Sequence, residues 1–294
     1  MTTINLAIGP NCPVRCEGCY NYFAENPEEP LITADEITDF AAKAKEYGVS
    51  KATLSGGDPL FHPEIVAIAR GIKGAGLEVK LDTVGTSFLD DVPILYKGRG
   101  LAPKVDVSSL KPHVDLVSIP LDGANQTTIS RFRRGRHNLF AETLAVAGLL
   151  QKTGVSFGYN TVAHASNLSE LPAIQRIAED TGAKEWQIFE FDPNGPNPTS
   201  KKDLLRLAPG QFASETNMLK PVSGILMIVR KSLLDRSDAY FLIDSTGLAW
   251  QPTQEGARRV FGHISRDSDV VMSALKSHMS RVKDRQSTWR PINF

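Results

Sequence analysis

Cysteine is nearly absent from this chain: there are three in 294 residues, at positions 12, 16 and 19, and none follows. An odd, clustered set makes no disulfide framework. Neither sign of charge is in excess, since 33 Lys plus Arg stand against 33 Asp plus Glu for a formal net charge of zero. No global field therefore exists to hold a polyanion, and neither nucleic acid nor a membrane surface is expected as a partner. No run approaches the ~18 consecutive apolar residues of a membrane helix, and the first residues lack the basic-then-apolar layout of a signal peptide. A cytoplasmic location is expected. With 41% hydrophobic and 22% charged residues and no low-complexity tract, the composition is globular rather than disordered or fibrous. The length allows about two domains, or one large α/β domain with an appendage.

What is present is an alternation. Apolar runs at 4–8, 51–55, 77–81, 116–119, 155–162 and 186–191 read as strands. Helical periodicity falls between them: a run from Thr33 under a Thr33/Glu36 capping box, then 63–72, 140–152, and 168–181 under an Asn167/Glu170 cap. About six βα units call for a parallel sheet flanked by helices, either an open doubly wound sheet or a partial barrel. Periodicity does not separate the two. The rhythm breaks at the turn-rich link 192–198. A hairpin signal follows around Asp244-Ser245-Thr246-Gly247, and then a terminal helix over 269–283. This places a core over 1–195 and a small C-terminal extension packed on it over 196–294.

The segment Cys12-Pro13-Val14-Arg15-Cys16-Glu17-Gly18-Cys19-Tyr20 follows the first strand with C-x3-C-x2-C spacing. Thiolates so spaced suit an iron-sulfur cluster or zinc. Zinc is the poorer fit, because a structural zinc site closes with four ligands and the segment offers neither a fourth Cys nor a His. Buried structural thiols are the bland alternative. Three cysteines on a four-iron cluster leave one iron without a protein ligand, which is the open position a catalytic site keeps.

At these residues the chain resembles the radical SAM superfamily, whose cysteine signature with a following aromatic is met by Cys12, Cys16, Cys19 and Tyr20. Gly56-Gly57-Asp58-Pro59 matches that family's GGEP segment, with Asp58 in place of Glu. The resemblance implies a partial (β/α)6 TIM-type barrel, a 4Fe-4S cluster and S-adenosyl-L-methionine. It also implies an electron donor such as flavodoxin or ferredoxin, and hydrogen abstraction by a 5′-deoxyadenosyl radical. Carried over residue by residue, it assigns Cys12, Cys16 and Cys19 to the cluster. To the cofactor it assigns Tyr20, Gly56, Gly57, Asp58, Thr83, Ser118, Arg133 and Asn160, with Arg133 chosen for its carboxylate because a guanidinium fork fits one. Solvated loop arginines and a structural amide are the competing readings of Arg133 and Asn160. Strand-end position makes Tyr22, Glu190, Asp192, Asn194 and His263 substrate-site candidates, Glu190 and Asp192 being the choices for acid–base work. As bland alternatives, Asp192 and Asn194 are turn formers and His263 a loop residue.

Residues 117–195 resemble viperin-like, single-cluster members of the superfamily. Where those carry cations for a triphosphate, this chain offers Gly158, Glu185 and Gln187, so Glu185 is expected to repel a triphosphate. The absence of cysteine beyond residue 19 speaks against auxiliary clusters, a cysteine hydrogen donor and ferredoxin-like insertions. No cobalamin domain or peptide-binding winged helix is expected ahead of Cys12. The expected activity is a tailoring step on a small metabolite: a nucleoside, sugar or amino-acid derivative. Modification of a ribosomal peptide, or a non-enzymatic iron-sulfur or zinc regulator, are the alternatives.

Overall fold

The computed structural model describes residues 2–21, 29–197, 199–222, 224–236, 239–253 and 257–286. At its centre is a ten-stranded sheet. Strands β1 (Thr3–Ala7), β2 (Lys51–Ser55), β3 (Glu78–Asp82), β4 (Leu116–Pro120), β5 (Phe157–Ala163) and β6 (Glu185–Glu190) lie side by side in sequence order. Each is parallel to the next. β7 (Met227–Lys231) continues the series beyond β6, and β8 (Leu242–Ile243) pairs parallel to β1 at the opposite margin. β9 (Leu248–Pro252) and β10 (Arg258–His263) complete that margin as antiparallel strands. The hairpin around Asp244 to Gly247 is present, with Leu242 opposite Trp250.

Helices α1 (Ala34–Glu46), α2 (Ile65–Gly74), α3 (Gln126–Phe132), α4 (Leu139–Thr153) and α5 (Leu171–Asp180) occupy the crossovers, and α6 (Ser268–Gln286) follows β10. The start of α1 is written locally. Thr33 accepts from the Glu36 amide while the Glu36 carboxylate accepts from the Thr33 amide, and Lys43 and Lys45 lie in the last turn beside the helix carbonyls. Its Ile37, Phe40, Ala41 and Ala44 form the buried stripe. The start of α5 departs from expectation. Asn167 does not cap it; its buried amide donates to the Asp122 and Val162 carbonyls, and its oxygen accepts from the His164 amide. Glu170 likewise turns to the Ala124 amide and the Thr128 hydroxyl. Both side chains fasten the loop after β4 to the end of β5, a tertiary demand that overrides the local cap.

The strands alternate in character. Ala52 and Leu54, Val79 and Leu81, Val117 and Ile119, Phe157 and Tyr159, and Trp186 and Ile188 are buried in the apolar core. Their neighbours Thr53, Lys80, Ser118, Asn160 and Gln187 line one internal cavity, which also receives Asn5 from β1, Lys231 from β7 and Leu242 from β8. Side chains from eight successive strands meet around one space because the sheet is curled into an open barrel.

Candidate active site

The cysteine loop leaves β1 and is gripped from several sides. Arg15–Cys16 pairs antiparallel with Arg133–Arg134, and the Cys12 amide donates to the Tyr96 carbonyl at 3.1 Å. Glu17 accepts from Arg134 at 2.8 Å, lies 3.3 Å from Lys201, and takes the Thr199 hydroxyl. The Asn197 amide donates to the carbonyls of Cys19 and Asn21, at 2.7 Å each. Burial pushes all three thiols up, Cys19 to about 12, while at Cys16 the Arg133 guanidinium works against that rise. Such thiols lose their protons by giving them up to a metal. Among the described residues, no three His, Cys, Asp or Glu side chains converge closely enough to hold a single metal ion. The cysteines line one wall of the cavity.

Gly56 and Gly57 continue that wall, and glycine is obligatory at both. A Cβ on Gly56, whose φ is +136°, would stand 2.5 Å from the Gly9 carbonyl oxygen, and one on Gly57 would stand 2.2 Å from that of Asn11. The following amides explain the close approach, since Gly57 donates to Gly9 and Asp58 to Asn11. The Asp58 side chain is fully buried and accepts from the Thr83 hydroxyl at 2.6 Å and from the amides of Leu60 and Val84. Burial lifts its pKa to about 6 against those hydrogen bonds. Asp58 and Thr83 thus bolt the end of β3 to the glycine turn through their side chains.

Among the described residues, Ser118 Oγ and Asn160 Oδ1 are buried in the lumen without a hydrogen-bond partner, and Asp82 Oδ1 has only the Lys80 ammonium, 3.7 Å away. All three residues line the cavity of about 490 Å³, and unpartnered buried polar atoms are what a polar ligand would complete. Tyr20 stands at the wall with its phenol hydrogen-bonded to Ser55, and burial of that oxygen pushes its pKa up although the residue as a whole is half-exposed. Arg133 is held by Asp122 and donates to Cys16 Sγ at 3.2 Å. The Asp122 carboxylate beside it raises its pKa against the effect of burial.

The expectation about Glu185 is corrected by the fold. Its carboxylate accepts from Lys80 at 2.8 Å and from Gln187 at 2.5 Å, and these outweigh burial to hold its pKa below the usual range. A carboxylate neutralised in this way presents no repulsive charge to the lumen. The lysine was unreadable from the position of Glu185, because it arrives from a strand about a hundred residues earlier.

Of the substrate-site candidates, Glu190 and Asp192 line the cavity. Glu190 accepts from the Leu233 amide at 2.8 Å, and Asp192 from the Asn194 amide. Asn194 forms that turn outside the lining, and His263 is buried beside the hairpin, its Nδ1 taking the Ser265 amide. Tyr22 lies outside the described residues. Lys51, Thr53, Lys80, Lys231 and Arg236 also line the cavity without having been singled out, and Gln187, named only where similar enzymes carry a cation, lines it with Asp82 and Tyr240. The readable signal was polar residues at alternate strand positions in a βα chain.

A family model described as the radical SAM superfamily matches residues 6–178, more than half of the chain. The AdoMet-dependent heme synthase of Methanosarcina barkeri is 30% identical over 63% of this chain and 49% of its own length. The chain thus spans about half of that relative. The S-adenosylmethionine-dependent nucleotide dehydratase of Flammeovirga pacifica is 20% identical over 83% of this chain and 80% of its own. Among solved structures, anSMEcpe with bound AdoMet and a peptide superposes with a TM-score of 0.65 at 14% identity, covering 95% of this chain and 82% of that one. Streptococcus suis SuiB bound to S-adenosylmethionine gives 0.61 at 12%, covering 84% and 60%. These structures share the fold of a parallel sheet curled into a partial barrel, and the family uses a 4Fe-4S cluster with S-adenosylmethionine. With its cysteine loop beside a glycine turn at the end of the second strand, this chain belongs to the radical SAM superfamily of enzymes.

Proposed function

We propose that the chain cleaves S-adenosylmethionine reductively and abstracts hydrogen from a small metabolite, a nucleoside, sugar or amino-acid derivative, in a biosynthetic step. The observation that carries this is the cavity into which the strands turn their polar residues. Three thiols form one wall, and Ser118 Oγ and Asn160 Oδ1, unpartnered among the described residues, lie within it. A cluster held here and reduced by an external electron donor would supply one-electron cleavage of the cofactor's sulfonium and, through it, hydrogen abstraction from the substrate. The chain does the rest. Cys12, Cys16 and Cys19 would hold the cluster, with Arg133 donating to the Cys16 sulfur. Gly56 and Gly57 bring backbone to the cofactor's methionyl end, and Asp58 with Thr83 keeps that backbone in place. Ser118 and Asn160 offer hydrogen bonds on the lumen side, Tyr20 covers the mouth, and the buried walls exclude water from a reactive species. Glu190 and Asp192, at the rim, are the nearest groups for proton transfer.

The residues after 195 serve in this reading as an extension packed on the core and joined to its sheet through β7 and β8. A lumen of this size is in the usual range for small-molecule sites, which favours a metabolite over a long peptide. The decisive experiment is anaerobic reconstitution with iron and sulfide, followed by reduction and addition of S-adenosylmethionine. 5′-Deoxyadenosine is expected from the wild-type chain and none from Cys16→Ala. A wild-type chain that holds a four-iron cluster and forms no 5′-deoxyadenosine refutes the assignment.

A further inference from the structure

Three lysines line the lumen, and two are neutralised. Lys51 Nζ lies 2.7 Å from Glu78, and Lys80 Nζ lies 2.8 Å from Glu185. Lys231, the last residue of β7, is different. Among the described residues its ammonium makes neither a hydrogen bond nor an ion pair, and its one specific contact is the Phe189 ring, 4.8 Å from Nζ to centroid. Arg236, five residues on in the turn Leu233–Arg236, lines the same cavity. One of its terminal nitrogens is fixed on the Glu190 carbonyl, while its Nε is buried with no partner. The carboxylates nearby are engaged: Glu190 with the Leu233 amide, Asp235 with Ser232, and Asp82 at 3.7 Å from Lys80.

An ammonium recessed in a cavity without an ion pair costs stability. A protein keeps one where something else supplies the counter-charge. Resting on the reading above, that the cofactor lies along the thiol wall, we infer that Lys231 and Arg236 form an oxyanion subsite that takes a carboxylate or phosphate group of the substrate. The subsite lies at the end of β7, on the side of the lumen formed by β6, β7 and the turn after them. The cysteine loop, the glycine turn and Ser118 come from β1, β2 and β4. Burial and the neighbouring Lys80 charge draw the Lys231 pKa down to about 7, and a bound anion would restore its charge, so binding should take up protons near neutral pH.

The test is calorimetric titration of the reconstituted, S-adenosylmethionine-loaded chain with two probes, succinate and inorganic phosphate, in wild type, Lys231→Met, Lys231→Arg and Arg236→Gln. The wild type and Lys231→Arg should bind at least one probe, and the probe that binds more tightly identifies the anion. Lys231→Met should weaken it ten-fold or more, while melting at a higher temperature because the unpaired charge is gone; the rise also shows that the variant folds. Equal probe affinity in wild type and Lys231→Met overturns the subsite, as does weakened S-adenosylmethionine binding with probe affinity unchanged. Wild-type 5′-deoxyadenosine formation reports the thiol-wall reading separately. A chain that makes it yet binds neither probe refutes the oxyanion subsite alone.

Discussion

His164 has no exposed surface, stacks on Phe132 with ring centroids 5.5 Å apart, and accepts the Ser166 amide at Nδ1. Burial, only partly opposed by the Asp122 charge, depresses its pKa to about 4. The unfolded chain binds that proton near pH 6.5 and the folded chain does not, so this residue's contribution to stability is present above pH 6.5 and is lost as the pH falls towards 4. The loss amounts to about 2 kcal/mol by pH 5. Asp58, raised to about 6, has the opposite slope between pH 4 and 6 because its folded form retains a proton the unfolded form has released. The two are separated by comparing urea midpoints at pH 5 and pH 7 in wild type and His164→Gln. The variant should lose clearly less stability on acidification, and an unchanged loss would show that His164 does not titrate in this way. Residue identity exposed the cysteines, the glycine pair and Asp58. It hid the partners of Glu185 and the solitude of Lys231, since both depend on which strands face one another.

At the level of elements, the cysteine loop is held by segments that arrive late in the chain. The turn-rich link reads from sequence as punctuation, yet its Asn197 fastens the carbonyls of Cys19 and Asn21, and Thr199 and Lys201 fasten Glu17. Asn197→Ala removes two hydrogen bonds, each worth about 1 kcal/mol. It should leave the fold intact while hastening loss of iron from the reconstituted chain under a chelator. Iron retention equal to wild type would show that the loop needs no such clamp. The start of α5 teaches the same point. Asn167 and Glu170 have the residue types of a cap, but the structure spends them on the loop after β4, where Asn167 donates to the Asp122 carbonyl and Glu170 accepts the Ala124 amide. The capping box of α1, by contrast, was legible at once, for every atom in it lies within four consecutive residues.

Over the whole molecule, residues on both sides of position 195 build one sheet. β7 covers the β6 edge, and β8 pairs with β1 through Asn5 opposite Leu242. Val271, Met272, Leu275 and Met279 of α6 belong to the same apolar core as Ile37 and Phe40 of α1. The full chain is therefore expected to unfold in a single cooperative transition by calorimetry, with calorimetric and van't Hoff enthalpies in agreement. A melt resolving two separable halves near residue 195 would contradict this. The strand-helix alternation was readable because parallel strands joined by helices follow from period and spacing. The sequence offered no choice between an open sheet and a barrel, since both have the same period.

By itself the sequence determined the thiol spacing, the glycine turn, the order of strands and helices, and the apolar faces that bind them together. These are local: they follow from residue type and separation along the chain. Tertiary structure alone decided that alternate residues of eight strands face inward to one lumen, that Lys80 neutralises Glu185, and that Lys231 is left without an ion pair among the described residues. Charge pairing is set by distance in space, and curling the sheet brings together groups that no periodicity relates.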